Sequence, residues 1–123
     1  MSRRCNLHCV HCYTDSTNNE YPGELTPDDV KAMLQDLAAF QIPALLMSGG
    51  EPLYHPHFFE YALLAKSLGL RLTLSTNGTL ITAEVAQRIK QTGFSYVGIS
   101  FDGLGSVNDR FRGKLGAFEA ARD

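Results

Sequence analysis

The chain lacks a fourth cysteine. Its three are Cys5, Cys9 and Cys12, so it cannot close a full set of disulfides or build a Cys₄ metal site. It also lacks a long apolar run: stretches such as residues 44–47 fall far short of the ~20 residues a membrane-spanning helix needs. There is no excess of either charge, with a formal net charge of −2 and a pI of about 6.0, which removes the basic footprint of a nucleic-acid binder. The N-terminus is polar and basic without an apolar stretch, so no secretory leader is expected. These absences predict a cytoplasmic protein with no membrane and no nucleic-acid partner. In that compartment, clustered thiols are more often metal ligands or catalysts than disulfides. What remains is ordinary, 44% hydrophobic and 20% charged over 123 residues, enough for one globular domain with a core.

Hydrophobic periodicity and capping signals give an alternation of helix and strand. After an irregular polar stretch (14–24), Thr26-Pro27-Asp28-Asp29 opens a helix: threonine caps, proline suits the first position, and the acids complement the dipole. Val30, Met33, Leu34, Leu37 and Phe40 recur every three or four residues and form one apolar face. Pro43 precedes a short buried strand (44–48) that runs into Gly49-Gly50-Glu51-Pro52. The unit then recurs twice. A helix over 57–68, stopped by Gly69, leads to a strand over 70–75 ending in Thr76-Asn77-Gly78. A helix over 83–92, capped by Thr82 and stopped by Gly93, leads to a strand over 96–101 ending in Asp102-Gly103. Residues 116–123 read as the start of a further helix. The predicted fold class is α/β, helix–strand units with a parallel sheet. All three strands end in small or polar residues, and in such folds the ligand sits at the carboxyl ends of the strands.

Three readings fit Cys5-x₃-Cys9-x₂-Cys12 taken alone. The thiols are unrelated and buried, although Arg3, Arg4, His8 and His11 around them do not suggest an apolar core. They form a Cys₃His zinc site with His8 or His11. Or they hold an iron–sulfur cluster through three thiolates, leaving one iron without a protein ligand. Three thiols in one loop suit wrapping a cluster from one side, whereas structural zinc sites usually join two separate ligand pairs.

The ordered motifs CNLHCVHC, SGGEP, STNG and SFDG resemble the radical S-adenosylmethionine (radical SAM) superfamily. The resemblance implies that Cys5, Cys9 and Cys12 ligate a 4Fe–4S cluster whose fourth iron is chelated by S-adenosylmethionine. It implies cofactor contacts at His11 and Tyr13 near the adenine, at Gly49, Gly50, Glu51 and Pro52 for the methionine amino group, and at Ser75, Asn77, Ser100 and Asp102 for the carboxylate and ribose. The glycines would let backbone approach a ligand closely, and Glu51 or a carbonyl would accept from an ammonium. Asn-Gly and Asp-Gly would serve equally well as plain turns, and His55 and His57 read as residues at the start of a helix.

Within the superfamily the chain is most similar to the SPASM-type branch, and residues 97–119 to the radical proteins of haem d1 biosynthesis. This implies reductive cleavage of S-adenosylmethionine to a 5′-deoxyadenosyl radical that abstracts hydrogen from a small-molecule substrate, a tetrapyrrole propionate. Peptide-modifying or sulfatase-maturing chemistry is the alternative, and a small zinc-binding α/β module is the non-enzymatic one. A reductant such as flavodoxin or ferredoxin is implied as partner. Arg110, Arg112 and Lys114 offer cations to substrate carboxylates, Arg being suited to bidentate pairing, or form a solvated basic loop. The resemblance also implies that residues 1–123 form an incomplete part of a (β/α)₆ partial TIM barrel. Most of its first strand, its C-terminal half and the SPASM extension are expected to lie outside them.

Overall fold

The first helix begins where capping chemistry places it. The Thr26 side chain accepts from the Asp29 backbone N–H and the Asp29 carboxylate accepts from the Thr26 N–H at 2.9 Å, a capping box with Pro27 as the first helical residue. This helix, α1 (Pro27–Ala39), leads to β1 (Leu45–Met47) and a 3₁₀ turn (Pro52–Tyr54). There follow α2 (Phe58–Ser67), β2 (Leu72–Thr76), α3 (Ala83–Thr92) and β3 (Tyr96–Ile99), then α4 (Ser106–Arg112) and α5 (Ala117–Arg122). The computed structural model describes residues 2–123.

The strands form one parallel sheet in the order β1-β2-β3, paired from Leu45 with Leu72 and from Thr73 with Tyr96. This is the α/β class expected from the alternation of elements. β2 is central and buries Leu72, Leu74 and Thr76 at alternate positions, the period of two that a strand imposes. α2 covers the sheet with Phe58, Tyr61, Ala62 and Ala65, joined by Val30 and Leu34 of α1, Met47 of β1 and Ile89 of α3. Phe58 stacks on Phe94 at 5.8 Å between ring centroids. Fully burying a leucine such as Leu72 or Leu74 contributes about 1.5–3 kcal/mol over leaving it exposed.

Two details depart from the sequence reading. The strands are shorter than 44–48, 70–75 and 96–101. Past Met47 the backbone turns to a different partner, with Gly50 N–H donating to the Ser2 carbonyl at 2.8 Å and Glu51 N–H to the Arg4 carbonyl at 2.9 Å. Residues 2–4 thus run beside the end of β1. Secondly, the segment read as a basic loop contains α4, with Arg110 and Arg112 in its last turn. Gly103, Gly105 and Gly113 bracket this helix and masked a run of only seven residues. Among the described residues no helix is long and apolar enough to cross a membrane.

Candidate functional site

Residues 5–17 form a loop held mainly by backbone hydrogen bonds. Cys5 N–H donates to the Thr17 carbonyl at 2.8 Å, Cys12 N–H to Cys9 at 3.2 Å, and Asp15 N–H to Cys12 at 3.3 Å. The far side of the loop is clipped to the end of α4: Val10 N–H donates to the Phe111 carbonyl at 2.9 Å and His8 N–H to the Arg112 carbonyl at 3.3 Å. Gly113 makes this clip possible. Its φ is 67°, and a Cβ there would collide with the His8 carbonyl, so the position requires glycine on both counts. A small apolar cluster of Cys5, Leu7 and Ala117, with Cys9 against it, completes the attachment.

All three thiols line one cavity of about 180 Å³ at the carboxyl ends of the strands. Leu7, Thr14 and Ser16 of the same loop line it too, and Ser48, Gly49, Gly50, Ser75, Thr76, Asn77, Ser100 and Arg112 complete its wall. Larger hollows of about 290 and 570 Å³ open around Tyr21 and Glu24 and contain no thiol. Size therefore does not identify the site; chemistry does. At Gly50 the wall admits no side chain, because a Cβ would strike the backbone oxygens of Arg3 and Arg4.

Each sulfur receives hydrogen-bond donors. Cys5 Sγ accepts from Leu7 N–H at 3.4 Å and from the Asn77 amide at 3.8 Å. Cys9 Sγ accepts from the Arg112 guanidinium at 3.9 Å. Cys12 Sγ accepts from Ser16 N–H at 3.3 Å and contacts the Thr14 hydroxyl at 3.5 Å. Burial pushes the Cys5 thiol pKa up, only partly offset by Leu7 and Asn77. Burial also raises that of Cys9, against the opposing charge of Arg112. At Cys12 burial again disfavours the thiolate, but the hydrogen bonds from Ser16 and Thr14 outweigh it and the pKa lies below the ordinary value. Donors around sulfur suit thiolate ligands, whose electronics such outer contacts tune.

The structure brings Cys5, Cys9, Cys12, Gly49, Gly50, Ser75, Asn77 and Ser100 together on this wall. The other expected residues lie elsewhere. Glu51 is 2% exposed, and its carboxylate accepts from Thr76 Oγ1 at 2.7 Å, Asn77 N–H at 2.7 Å and Leu53 N–H at 3.0 Å. It therefore joins the ends of β1 and β2. Pro52 is buried in the 3₁₀ turn. Tyr13 is fully exposed and stands away from the cavity wall. Asp102 is also absent from the wall; its carboxylate lies 2.7 Å from Arg112 Nε and 3.4 Å from His11 Nε2. The His11 ring packs edge-on against Phe111 at 5.8 Å. Arg110 is exposed, whereas the Arg112 side chain is 12% exposed and committed to Asp102 and Cys9. Asn77 lines the cavity, but its amide also holds the loop, donating to Asn6 Oδ1 at 2.9 Å while its oxygen accepts from Thr79.

Sequence reasoning missed Thr76, Ser16 and Asn108. Thr76 supports Glu51, Ser16 supports Cys12, and the Asn108 amide oxygen accepts from Asp102 N–H at 2.9 Å. Asn108 is 2% exposed. Nothing in its sequence context distinguishes it from a polar loop residue. Among the described residues no three His, Cys, Asp or Glu side chains are grouped to hold a single metal ion. His8 faces a separate groove, and His11 faces Asp102.

A family profile described as the radical SAM superfamily matches residues 1–122. An Fe-coproporphyrin III synthase of Methanosarcina barkeri is 50% identical over 121 residues, 98% of this chain and 30% of the relative. A pre-heme d1 synthase of Dinoroseobacter shibae gives the same identity and the same coverage of both chains. The solved structure of native anSMEcpe with bound AdoMet superposes with a TM-score of 0.79 at 26% identity, covering 98% of this chain and 36% of that one. The chain thus spans about a third of the length of the relatives it matches.

Proposed function

The chain belongs to the radical SAM superfamily, and from that premise we propose that Cys5, Cys9 and Cys12 hold a 4Fe–4S cluster beside a bound S-adenosylmethionine. The observation that carries the reading is the shared cavity, with three donor-supplied sulfurs on one side and Gly49, Gly50, Ser75 and Ser100 on the other. Three thiols from one loop on one wall suit wrapping a multi-iron cluster better than zinc, whose structural sites usually join two separate ligand pairs. When bound, cluster and cofactor together supply one-electron cleavage of the sulfonium to a 5′-deoxyadenosyl radical for hydrogen abstraction, chemistry that belongs to the cofactors.

The protein's own part is to bind and to orient. Gly49 and Gly50 line the cavity where the methionine end would sit and pack closely on the backbone of residues 2–4, and Glu51 fixes that turn against β2. Ser75, Asn77 and Ser100 offer hydroxyl and amide groups to the carboxylate and ribose. His11, exposed beside Asp102 and Phe111, would lie against the adenine.

The substrate we propose is a tetrapyrrole whose propionate side chains are altered. Similarity to relatives named for Fe-coproporphyrin III and pre-heme d1 synthesis supports this over peptide modification. Arg110, exposed on α4, is available to a propionate. A flavodoxin or ferredoxin would supply the electron, in the cytoplasm. Anaerobic reconstitution with iron and sulfide, followed by electron paramagnetic resonance, tests the assignment. A reduced cubane signal that changes on adding S-adenosylmethionine is expected. Stoichiometric zinc and a colourless reconstituted protein would overturn it.

A further inference from the structure

Among the described residues, the Cys9 sulfur is the one of the three that accepts from a formal positive charge. Cys5 is served by the Leu7 N–H and the Asn77 amide, and Cys12 by the Ser16 N–H and the Thr14 hydroxyl, all neutral. At Cys9 the donor is the Arg112 guanidinium, whose Nη1 lies 3.9 Å from Sγ while its Nε lies 2.7 Å from Asp102 Oδ2. Both Nε and Oδ2 are shielded from solvent and meet as an ion pair without the alignment of a hydrogen bond. Asp102 is itself held, its N–H by the buried Asn108 and its second oxygen beside His11 at 3.4 Å. A guanidinium that is 12% exposed and pinned in this way is not free to leave for a substrate carboxylate. A charge shielded from water also acts more strongly on its neighbours than a surface charge does.

We propose that Arg112 is a positioning residue for the Cys9 thiolate that tunes the reduction potential of the group the three cysteines hold, with Asp102 as its opposing charge. The inference rests on the cluster assignment above and goes beyond it, because it assigns opposite electrostatic signs to two residues that were expected to contact substrate and ribose. Hydrogen bonds to the sulfurs and local charge are the protein's means of setting such potentials. Arg112 stabilises the more negative, reduced state, and Asp102 moderates that effect.

The test is a redox titration of the anaerobically reconstituted protein against dithionite, read by electron paramagnetic resonance without S-adenosylmethionine, with iron content measured alongside. Arg112→Gln is expected to lower the potential, so that the reduced-to-oxidised ratio at a fixed applied potential falls on the order of tenfold, about 59 mV for one electron. Arg112→Lys, which keeps the charge and loses the planar fork, is expected to fall less. Asp102→Asn is expected to move the potential the other way. An Arg112→Gln midpoint equal to the wild type, or a shift of Arg112→Gln and Asp102→Asn in the same direction, overturns the proposal and leaves the cluster assignment standing. Should Arg112→Gln retain no iron, Asp102→Asn decides: an upward shift supports the proposal, and an unmoved or lowered potential overturns it. A wild type with no cubane signal instead refutes the cluster assignment, and this proposal with it.

Discussion

The body built on α2 and β2 and the loop of residues 5–17 are held by different forces. In the body, Phe58, Ala62, Ala65, Leu72 and Leu74 are essentially inaccessible and pack side chain against side chain. In the loop only Cys5, Leu7 and Ser16 are buried, and the segment keeps its shape through main-chain bonds to Thr17, Phe111 and Arg112. Apolar burial is non-directional and tolerates approximate fit. Hydrogen bonds fix direction, and three sulfurs must be aimed. The comparison teaches that stability and aim are separately encoded, and substitutions should separate them.

The largest effect is expected in the body. Leu74→Ala should cost about 2–5 kcal/mol in chemical unfolding, and below the unfolding transition the cysteines should still take up iron. Glu51 has a comparable effect and belongs to both regions. Glu51→Ala leaves the Asn77 N–H and the Thr76 hydroxyl without their acceptor, at about 1–3 kcal/mol per buried group, and should weaken iron retention as well as stability. Equal iron retention in this variant and the wild type would show that the joint does not reach the loop.

Glu51 also carries a pH dependence of known sign. Burial raises its pKa in the folded protein above the ordinary 4.5, despite the hydrogen bonds that lower it. The folded state therefore binds the proton more tightly than the unfolded one. The stability this contributes is complete below pH 4.5 and is lost as pH rises through the folded pKa. Unfolding midpoints measured from pH 4 to 8 should show this slope in the wild type and a flatter one in Glu51→Gln.

Gly113→Ala should act on the loop alone, because the added carbon meets the His8 carbonyl. Iron uptake should fall while the unfolding midpoint moves little; a large loss of stability would show that the clip supports the body too. The smallest effect belongs to Thr82→Ala, which removes the side-chain acceptor for Val85 N–H at the start of α3. About 1 kcal/mol is expected, with no change in iron binding.

The same division explains what could be read in the sequence. The body was legible because periodicity and caps are local: Thr26 and Thr82 start helices as expected, and Val30 and Leu34 of α1 and the alternate positions of β2 face the core, although Met33 and Phe40 of the expected α1 face are exposed. The cavity was legible at the cysteines and at the strand ends, where spacing and topology carry the signal. The tasks of Glu51, Asp102 and Arg112 were not. Each depends on a partner distant in sequence, and an unpaired charge reads the same on the page whether it will meet a ligand or another side chain. α4 escaped notice because its three bracketing glycines signal turns more strongly than seven residues signal a helix.

The clip between the cysteine loop and α4 sets a timetable for synthesis. Cys9 and Arg112 are separated by 103 positions, and a chain emerges from the ribosome N-terminus first at about 5–20 residues per second. The thiols are therefore made first and stay unclamped for roughly 5–20 s, until α4 follows. During that interval the nascent loop is open to any thiol-seeking metal or oxidant in the cell, and the clamp on Cys9 waits for a helix made well after the thiols.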